Sequence, residues 1–394
     1  MNNRSEKSEL DPNVSKENRK HLGHSNAFVD SHRARRIEKI LAEVHSVKAD
    51  AFLVFNHELS GQPGTKYLSG FSGTESVLLI AENGRFIFTD GRYFSQAKEG
   101  CPDFELVPTG RSLFWEELEK ICRKLDLKKI IFDSVRTNYG QVSRLKERMG
   151  NVSIIGVENI LQKIRVVKDE AELEQIQQAV SISTKSFNEL LSFIKEGVTE
   201  NELSWKLETL MRENGAEKIS FALIVASGQN GAKPHARATN KKVAKGELIT
   251  FDFGCFYNGY ASDITRTVAL GNVSDKLAEI YETVKTAQEL GCKAVKAGIS
   301  GSEIDKICRD YISSKGYGEY FLHGTGHGAG MEVHELPYVS ASNKEPLPEN
   351  SVITVEPGIY IEGIGGVRIE DTVAVKKDGS INMSGGFSKE LIVL

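Results

Sequence analysis

Apolar positions recur at helical spacing early in the chain. In SHRARRIEKILAEVHSVK, Ile37, Ile40, Leu41 and Val44 fall on one stripe, which predicts an amphipathic helix. Short β-type runs follow, AFLVF (51–55), SVLLIA (76–81) and RFIFTD (85–90), separated by Gly, Pro and Asn; Asn83-Gly84 has the residues of a two-residue hairpin turn. A helix over 113–124 and the strands KKIIFD and VSIIGV (152–157) continue an alternation that predicts an α/β domain. The pattern changes near 157–167. Asp169 opens a long helix with acidic residues in its first turn, where the helix dipole favours them, and Thr199-Glu200-Asn201-Glu202 is a capping box that opens a second helix running to 213. From residue 248 strands and glycine dominate. The expected division is a mobile polar tail over 1–27, an α/β domain over 28–160 and a second domain over 161–394.

Composition narrows the function classes. A chain that is 40% hydrophobic and 26% charged, with net charge −4, gives no reason to expect nucleic acid or an anionic membrane as partner. No stretch approaches the roughly 18 apolar residues of a membrane span. The polar first residues lack the apolar segment of a secretory signal. Five scattered cysteines without CxxC spacing favour a reducing, cytoplasmic setting and argue against a thiolate metal site. The offset of Cys255 from Asp252 makes it a buried thiol on the other face of its strand.

Candidate chemistry starts at ITFDFGCFYNGYASDITRT (249–267). Asn258-Gly259 tolerates the positive φ of a type I′ turn, which would set Tyr257 opposite Tyr260 and Gly254 opposite Asp263. Asp252 and Asp263 then share a face as diagonal neighbours, about 7–8 Å apart at the backbone. Two carboxylates converge only with compensation, from a cation network or from a hard divalent pair about 3.5–4 Å apart. The motif has an echo: LITFDFG (248–254) resembles VITVEPG (352–358), so that Glu356 answers Asp252, and Glu370 answers Asp263, each of the latter two followed by a Thr two residues on. The echo predicts a pseudo-symmetric fold with one metal site between its halves, chance likeness of two hairpins being the alternative. The loop EGIGG (362–366) leaves the second register open.

Between the echoes lies HGTGHGAGMEVHE (323–335), with His323, His327 and His334 among alternating glycines. Glycine costs a helix about 1 kcal/mol per residue relative to Ala, so an extended segment with one bare face is expected. One neutral imidazole added to four carboxylates completes a dinuclear set: Asp252, Asp263, His327, Glu356 and Glu370. Oxygen-rich ligation suits Mn²⁺ first, with Co²⁺, Fe²⁺ or Zn²⁺ compatible.

These segments resemble the pita-bread metallopeptidases, specifically the Xaa-Pro aminopeptidase and Xaa-Pro dipeptidase (prolidase) group. The pieces that carry the resemblance are FDFG…YASDITRT, HGTGHGAGMEVHE, VEPGIY, GGVRIED and KPHA (233–236), with KYLSGFSGT (66–74) and FTDGRY (88–93) in the first domain. The resemblance covers residues 28–394. It implies a creatinase-type N-terminal α/β domain before a pseudo-symmetric pita-bread domain, a homodimer, and two metal ions on the five residues above. It further implies that metal-held hydroxide attacks the scissile carbonyl, with Glu356 as proton shuttle. His334 and His235 would contact substrate at the scissile bond, His323 would line the proline side, and Arg368 would order the carboxylates. Proline in second position lacks an N–H and has a fixed φ, so peptidases that bind substrate as a strand handle it poorly. The five intact ligand positions argue against an inactive pita-bread binding protein and against the metal-free creatine amidinohydrolase. The first domain argues against a methionine aminopeptidase. Whether the substrate is a dipeptide or a longer peptide is left open.

Overall fold

The computed structural model describes residues 32–57, 63–110 and 114–394; the tail expected over 1–27 lies outside them. The chain divides after Ile164 into two compact units.

In the first unit, helix α1 (32–46) buries Ile37, Ile40 and Val44 and covers Leu41 in part. Then follow β1 (Ala51–Asn56), α2 (Gly64–Ser69), β2 (Ser76–Ala81), β3 (Gly84–Thr89), α3 (Phe94–Gly100), β4 (Glu105–Pro108), α4 (Phe114–Lys124), β5 (Lys129–Asp133), α5 (Tyr139–Arg148), β6 (Ser153–Val157) and α6 (Ile160–Arg165). The strands form one mixed sheet in the order β4-β3-β2-β1-β5-β6. β1 and β2 are buried along their whole length, which is why they read as unbroken apolar runs. The β2–β3 turn departs from expectation. Ala81 pairs with Gly84, so Glu82 and Asn83 make the turn in place of Asn83-Gly84. This register sets Leu79 against Phe86 and Val77 against Phe88, pairing branched with aromatic side chains. Gly84 serves close approach: a Cβ there would meet the Phe86 ring at 2.6 Å.

The second unit opens with α7 (Glu170–Leu190) and α8 (Glu200–Glu213), each started by a complete capping box, from Asp169 and Thr199. β7 (Lys218–Ile219), β8 (Ile224–Ser227), β9 (Glu247–Phe253), β10 (Cys255–Tyr257), β11 (Tyr260–Ala261) and β12 (Ile264–Leu270) form two small sheets, β12-β9-β8 and β11-β10-β7. The expectation of strands and glycine beyond 248 fails over the next stretch. Two long helices stand there, α9 (Asp275–Ala294) and α10 (Gly301–Ser314), capped by Ser274 and by a Ser300–Glu303 capping box. Gly291 sits inside α9 because a Cβ would meet Cys308 Sγ of α10 at 2.6 Å. The remaining strands are β13 (Gly326–Gly328), β14 (Glu335–Val339), β15 (Val352–Val355), β16 (Gly358–Ile361), β17 (Gly365–Arg368), β18 (Asp371–Lys376) and β19 (Gly379–Asn382). Val284, Ile304, Ile353, Val355, Ile359 and Val367 belong to one core that joins both helices to β15, β16 and β17.

All five cysteines are unpaired, and Cys255 is buried with Sγ 3.4 Å from Ser183 Oγ. Among the described residues no helix is long and apolar enough to cross a membrane.

Candidate metal centre

Two hairpins carry the four carboxylates. In the first, Asn258 (φ 48°) and Gly259 (φ 82°) form the turn, Tyr257 pairs with Tyr260, and Asp252 pairs with Thr265. The register therefore runs unbroken through the kink at Gly254, where a Cβ would run into the Ser262 carbonyl oxygen. Asp263 stays diagonal to Asp252, as expected. In the second hairpin Val355 pairs with Asp371, Gly358 with Arg368 and Ile361 with Gly365. The turn is thus Glu362-Gly363-Ile364, and Glu356 falls directly across from Glu370. The echo holds strand for strand, but the second register is shifted relative to the first.

The bare-faced histidine segment lies against the second hairpin. Gly328 pairs with both Glu335 and Ile353, and a Cβ at Gly326 would run into the Thr354 carbonyl oxygen. Gly326→Ala is expected to lower stability by about 1–3 kcal/mol through overpacking, read as a shifted urea midpoint, because backbone and not a flexible side chain stands in the way.

Three overlapping groups bring ligand atoms within 4.8 Å of one another: Asp252, Asp263 and Glu370; His327, Glu356 and Glu370; Asp263, His327 and His334. His327 Nε2 lies 3.5 Å from Asp263 Oδ2 and 3.4 Å from Glu356 Oε1. The Gly328 carbonyl lies 3.1 Å from His327 Nδ1, which makes Nδ1 the donor. Burial and the neighbouring His334 push His327 down to about 3, so at neutral pH its imidazole is neutral and the Nε2 lone pair faces the carboxyl groups of Asp263 and Glu356. Asp252 Oδ1 and Glu370 Oε1 are buried without a hydrogen-bond partner. Acceptors turned on one another in this way fit a bound cation, and the donor set, oxygen with one imidazole nitrogen, fits hard or borderline divalent ions.

A profile of metallopeptidase family M24 matches residues 174–377, and one of the creatinase/prolidase N-terminal domain matches 36–167. The chain belongs to metallopeptidase family M24. It is similar to an X-Pro aminopeptidase of Thermotoga maritima, at 41% identity and TM-score 0.85, covering 91% of this chain and 100% of that one. An Xaa-Pro dipeptidase of Bacillus anthracis is similar at 40% identity and TM-score 0.88, covering 92% of this chain and 100% of its own. The Xaa-Pro dipeptidase of Pyrococcus horikoshii is 36% identical over 346 residues, 88% of this chain and 95% of that one.

In this M24 chain the carboxylates are held from behind. Thr265 Oγ1 donates to Glu370 Oε2 at 2.7 Å and accepts from Arg368 Nε at 3.1 Å. Arg368 Nη2 donates to Asp252 Oδ2 at 2.7 Å, and Nη1 reaches the Tyr360 hydroxyl at 2.7 Å and the Pro234 carbonyl at 3.2 Å. Burial opposes the charge of Arg368, yet Tyr360, Asp252 and Glu356 around it raise its pKa on balance. Burial raises Asp263 and Glu370 well above the usual carboxylate range, and the carboxylates around each add to it. Glu356 is pushed up to about 8 by burial, against Arg368 and with Asp252.

The histidines divide. His334 is exposed, with its ring centroid 4.2 Å from that of His327. His235 is also exposed; burial first, with His235 adding to it, lowers His323 to about 4 and lowers His334. His323 has both nitrogens engaged within the protein, Nδ1 by the Gly324 carbonyl and Nε2 by the Tyr360 hydroxyl, each at 2.8 Å. Tyr360 therefore receives from Arg368 and gives to His323. Tyr360 is not among the site residues expected from the sequence; its place in VEPGIY is the signal for it, since a strand tyrosine alone reads as core.

Proposed function

We propose that the chain is a dinuclear metal-dependent exopeptidase that hydrolyses the bond between an N-terminal residue and a following proline, an Xaa-Pro aminopeptidase. The observation that carries this reading is the convergence of Asp252, Asp263, His327, Glu356 and Glu370, with Asp252 Oδ1 and Glu370 Oε1 buried and without a hydrogen-bond partner. Bound divalent ions, Mn²⁺ first and Co²⁺, Zn²⁺ or Fe²⁺ as alternatives, would supply an acidified water and an anchor for a free α-amine. Those five residues hold the ions. Glu356, a carboxylate 3.4 Å from His327 Nε2, takes a proton and gives it to the leaving nitrogen. His334 and His235 contact the substrate at the scissile bond. His323, with both nitrogens occupied, offers only the face and edge of its ring to the proline side. Residues 161–394 carry this chemistry, and the working form is a cytoplasmic homodimer.

Arg368 holds Asp252, Thr265 and Tyr360 at once, which a lysine cannot do. Arg368→Lys is expected to lower kcat/KM about 10–100-fold, measured at saturating Mn²⁺.

The deciding assay is release of the N-terminal residue from an Xaa-Pro dipeptide and from a longer Xaa-Pro-Xaa peptide, each with Mn²⁺ and with EDTA. Metal-dependent cleavage of the longer peptide supports the aminopeptidase; cleavage of the dipeptide alone makes the chain a prolidase. No cleavage with any divalent metal overturns both.

A further inference from the structure

Directly after His334 the chain buries a carboxylate that the proposed reaction does not use. Glu335 is 1% exposed. One oxygen is bound by the Arg165 guanidinium and the other by Lys168 Nζ at 2.7 Å. Arg165 also reaches Glu332 at 3.0 Å. Both cations are buried as well. Burial disfavours the charge on Glu335, but Lys168 and Arg165 keep it ionised, below the ordinary glutamate range. Such a cluster adds little stability over apolar packing and is costly to break on one side.

The loop that bears His334 is wound around this carboxylate. Glu332 N points at Glu335 Oε2 from 3.4 Å, and Gly330 N donates to the Glu332 carbonyl at 3.0 Å. A Cβ at Gly330 would run into the Glu335 carboxylate. Ala261 N, two residues before Asp263, donates to the Gly330 carbonyl at 2.8 Å. From the other side Lys168 N donates to the Asn350 carbonyl at 2.9 Å. His334 itself has no such tether: among the described residues none hydrogen-bonds its imidazole. Its placement comes from its backbone, and that backbone is set by its neighbour.

We propose that Arg165 and Lys168 are positioning residues for His334, acting through Glu335. The inference rests on the reading that His334 contacts substrate. Both cations precede residue 174, where the M24 match begins, so the proposal extends the positioning of the histidine loop to residues outside that match.

The test is a double-mutant cycle on the full chain with Mn²⁺, reading kcat/KM on an Xaa-Pro peptide, bound metal and melting temperature. Lys168→Met keeps the length of the stem and removes the charge. It is expected to lower kcat/KM on the order of 10- to 100-fold with metal content unchanged, as a displaced contact group does. Lys168→Arg recovers most of the loss. In a His334→Ala background Lys168→Met lowers kcat/KM no further, although the melting temperature still falls. If the two losses multiply independently, Lys168 does not act through His334 and the inference is overturned. If His334→Ala alone leaves kcat/KM unchanged, the substrate contact given to His334 falls, and the inference falls with it, while the metal centre stands. Should Lys168→Met not fold, Glu335→Gln, which keeps the shape and loosens both cations, is read in the same cycle against the same outcomes.

Discussion

Asp263→Asn is expected to abolish peptidase activity and, in the absence of metal, to raise the melting temperature. Asp263 is 4% exposed and shares its site with Asp252, Glu356 and Glu370. Without a cation its charge is opposed by burial first and by those carboxylates next, so a neutral amide of the same shape relieves the folded state. With metal the sign reverses. A ligand that binds only the folded chain stabilises it by about 2.7 kcal/mol at one hundred times its Kd, and the variant, short of a ligand, gains less. The activity loss should be on the order of 10³-fold or more, about 4 kcal/mol of transition-state stabilisation. Thermal melts of both proteins in EDTA and in Mn²⁺, with bound metal counted, check this. A variant that melts below the wild type in EDTA, or that gains as much from Mn²⁺, would show that no cation is held at Asp263.

For Glu356→Gln the expected result is a kcat lower by about 10²–10⁴-fold with KM little changed, the loss of a proton-transfer group. The same change should alter how stability depends on pH. In the metal-free chain the folded pKa of Glu356 is about 8, raised above its unfolded value of about 4.3, so between those values the folded state binds more protons. Stability therefore falls as pH rises through that window. His327, His323 and His334 act in the opposite sense because their folded pKa values are lowered, but their contribution is complete above an unfolded value of about 6.5. From pH 6.5 to 8 the raised carboxylates remain. EDTA-treated wild type should lose melting temperature across that interval, and Glu356→Gln should lose less. Equal slopes would mean that Glu356 is already ionised at pH 6.5.

The parts legible in the sequence were those whose signals are local. Asn258-Gly259 set the first hairpin and so the diagonal of Asp252 and Asp263, and the capping boxes at Asp169 and Thr199 opened α7 and α8 where expected. A local signal of the same kind, Ser300 with Glu303, stood in front of α10. It was lost beneath the glycine content of the region, whose glycines serve strand kinks and close helix packing as at Gly254 and Gly291. Asn83-Gly84 misled in the reverse way, because cross-strand packing chose the register and the glycine made room for Phe86. The convergence of the four carboxylates and His327 was readable because carboxylates in glycine-dense strands have few other uses. Tyr360 and the Glu335 cluster were not, since the first depends on the register of the second hairpin, Gly358 against Arg368, and the second on long-range contacts of Arg165 and Lys168 with Glu335.

The charges around Glu335 also bear on where this chain can be cut and rejoined. The creatinase/prolidase match runs to residue 167, yet Arg165, which lies inside it, belongs with the second compact unit. A chimera joined at 167 would take its arginine, or whatever replaces it, from one parent and Lys168 from the other. Unless the donor also supplied a cation at that position, Glu335 would be left half neutralised behind an intact set of motifs. The crossover point that respects this protein lies before Arg165, and N-terminal domains exchanged there leave the histidine loop its own counter-ions.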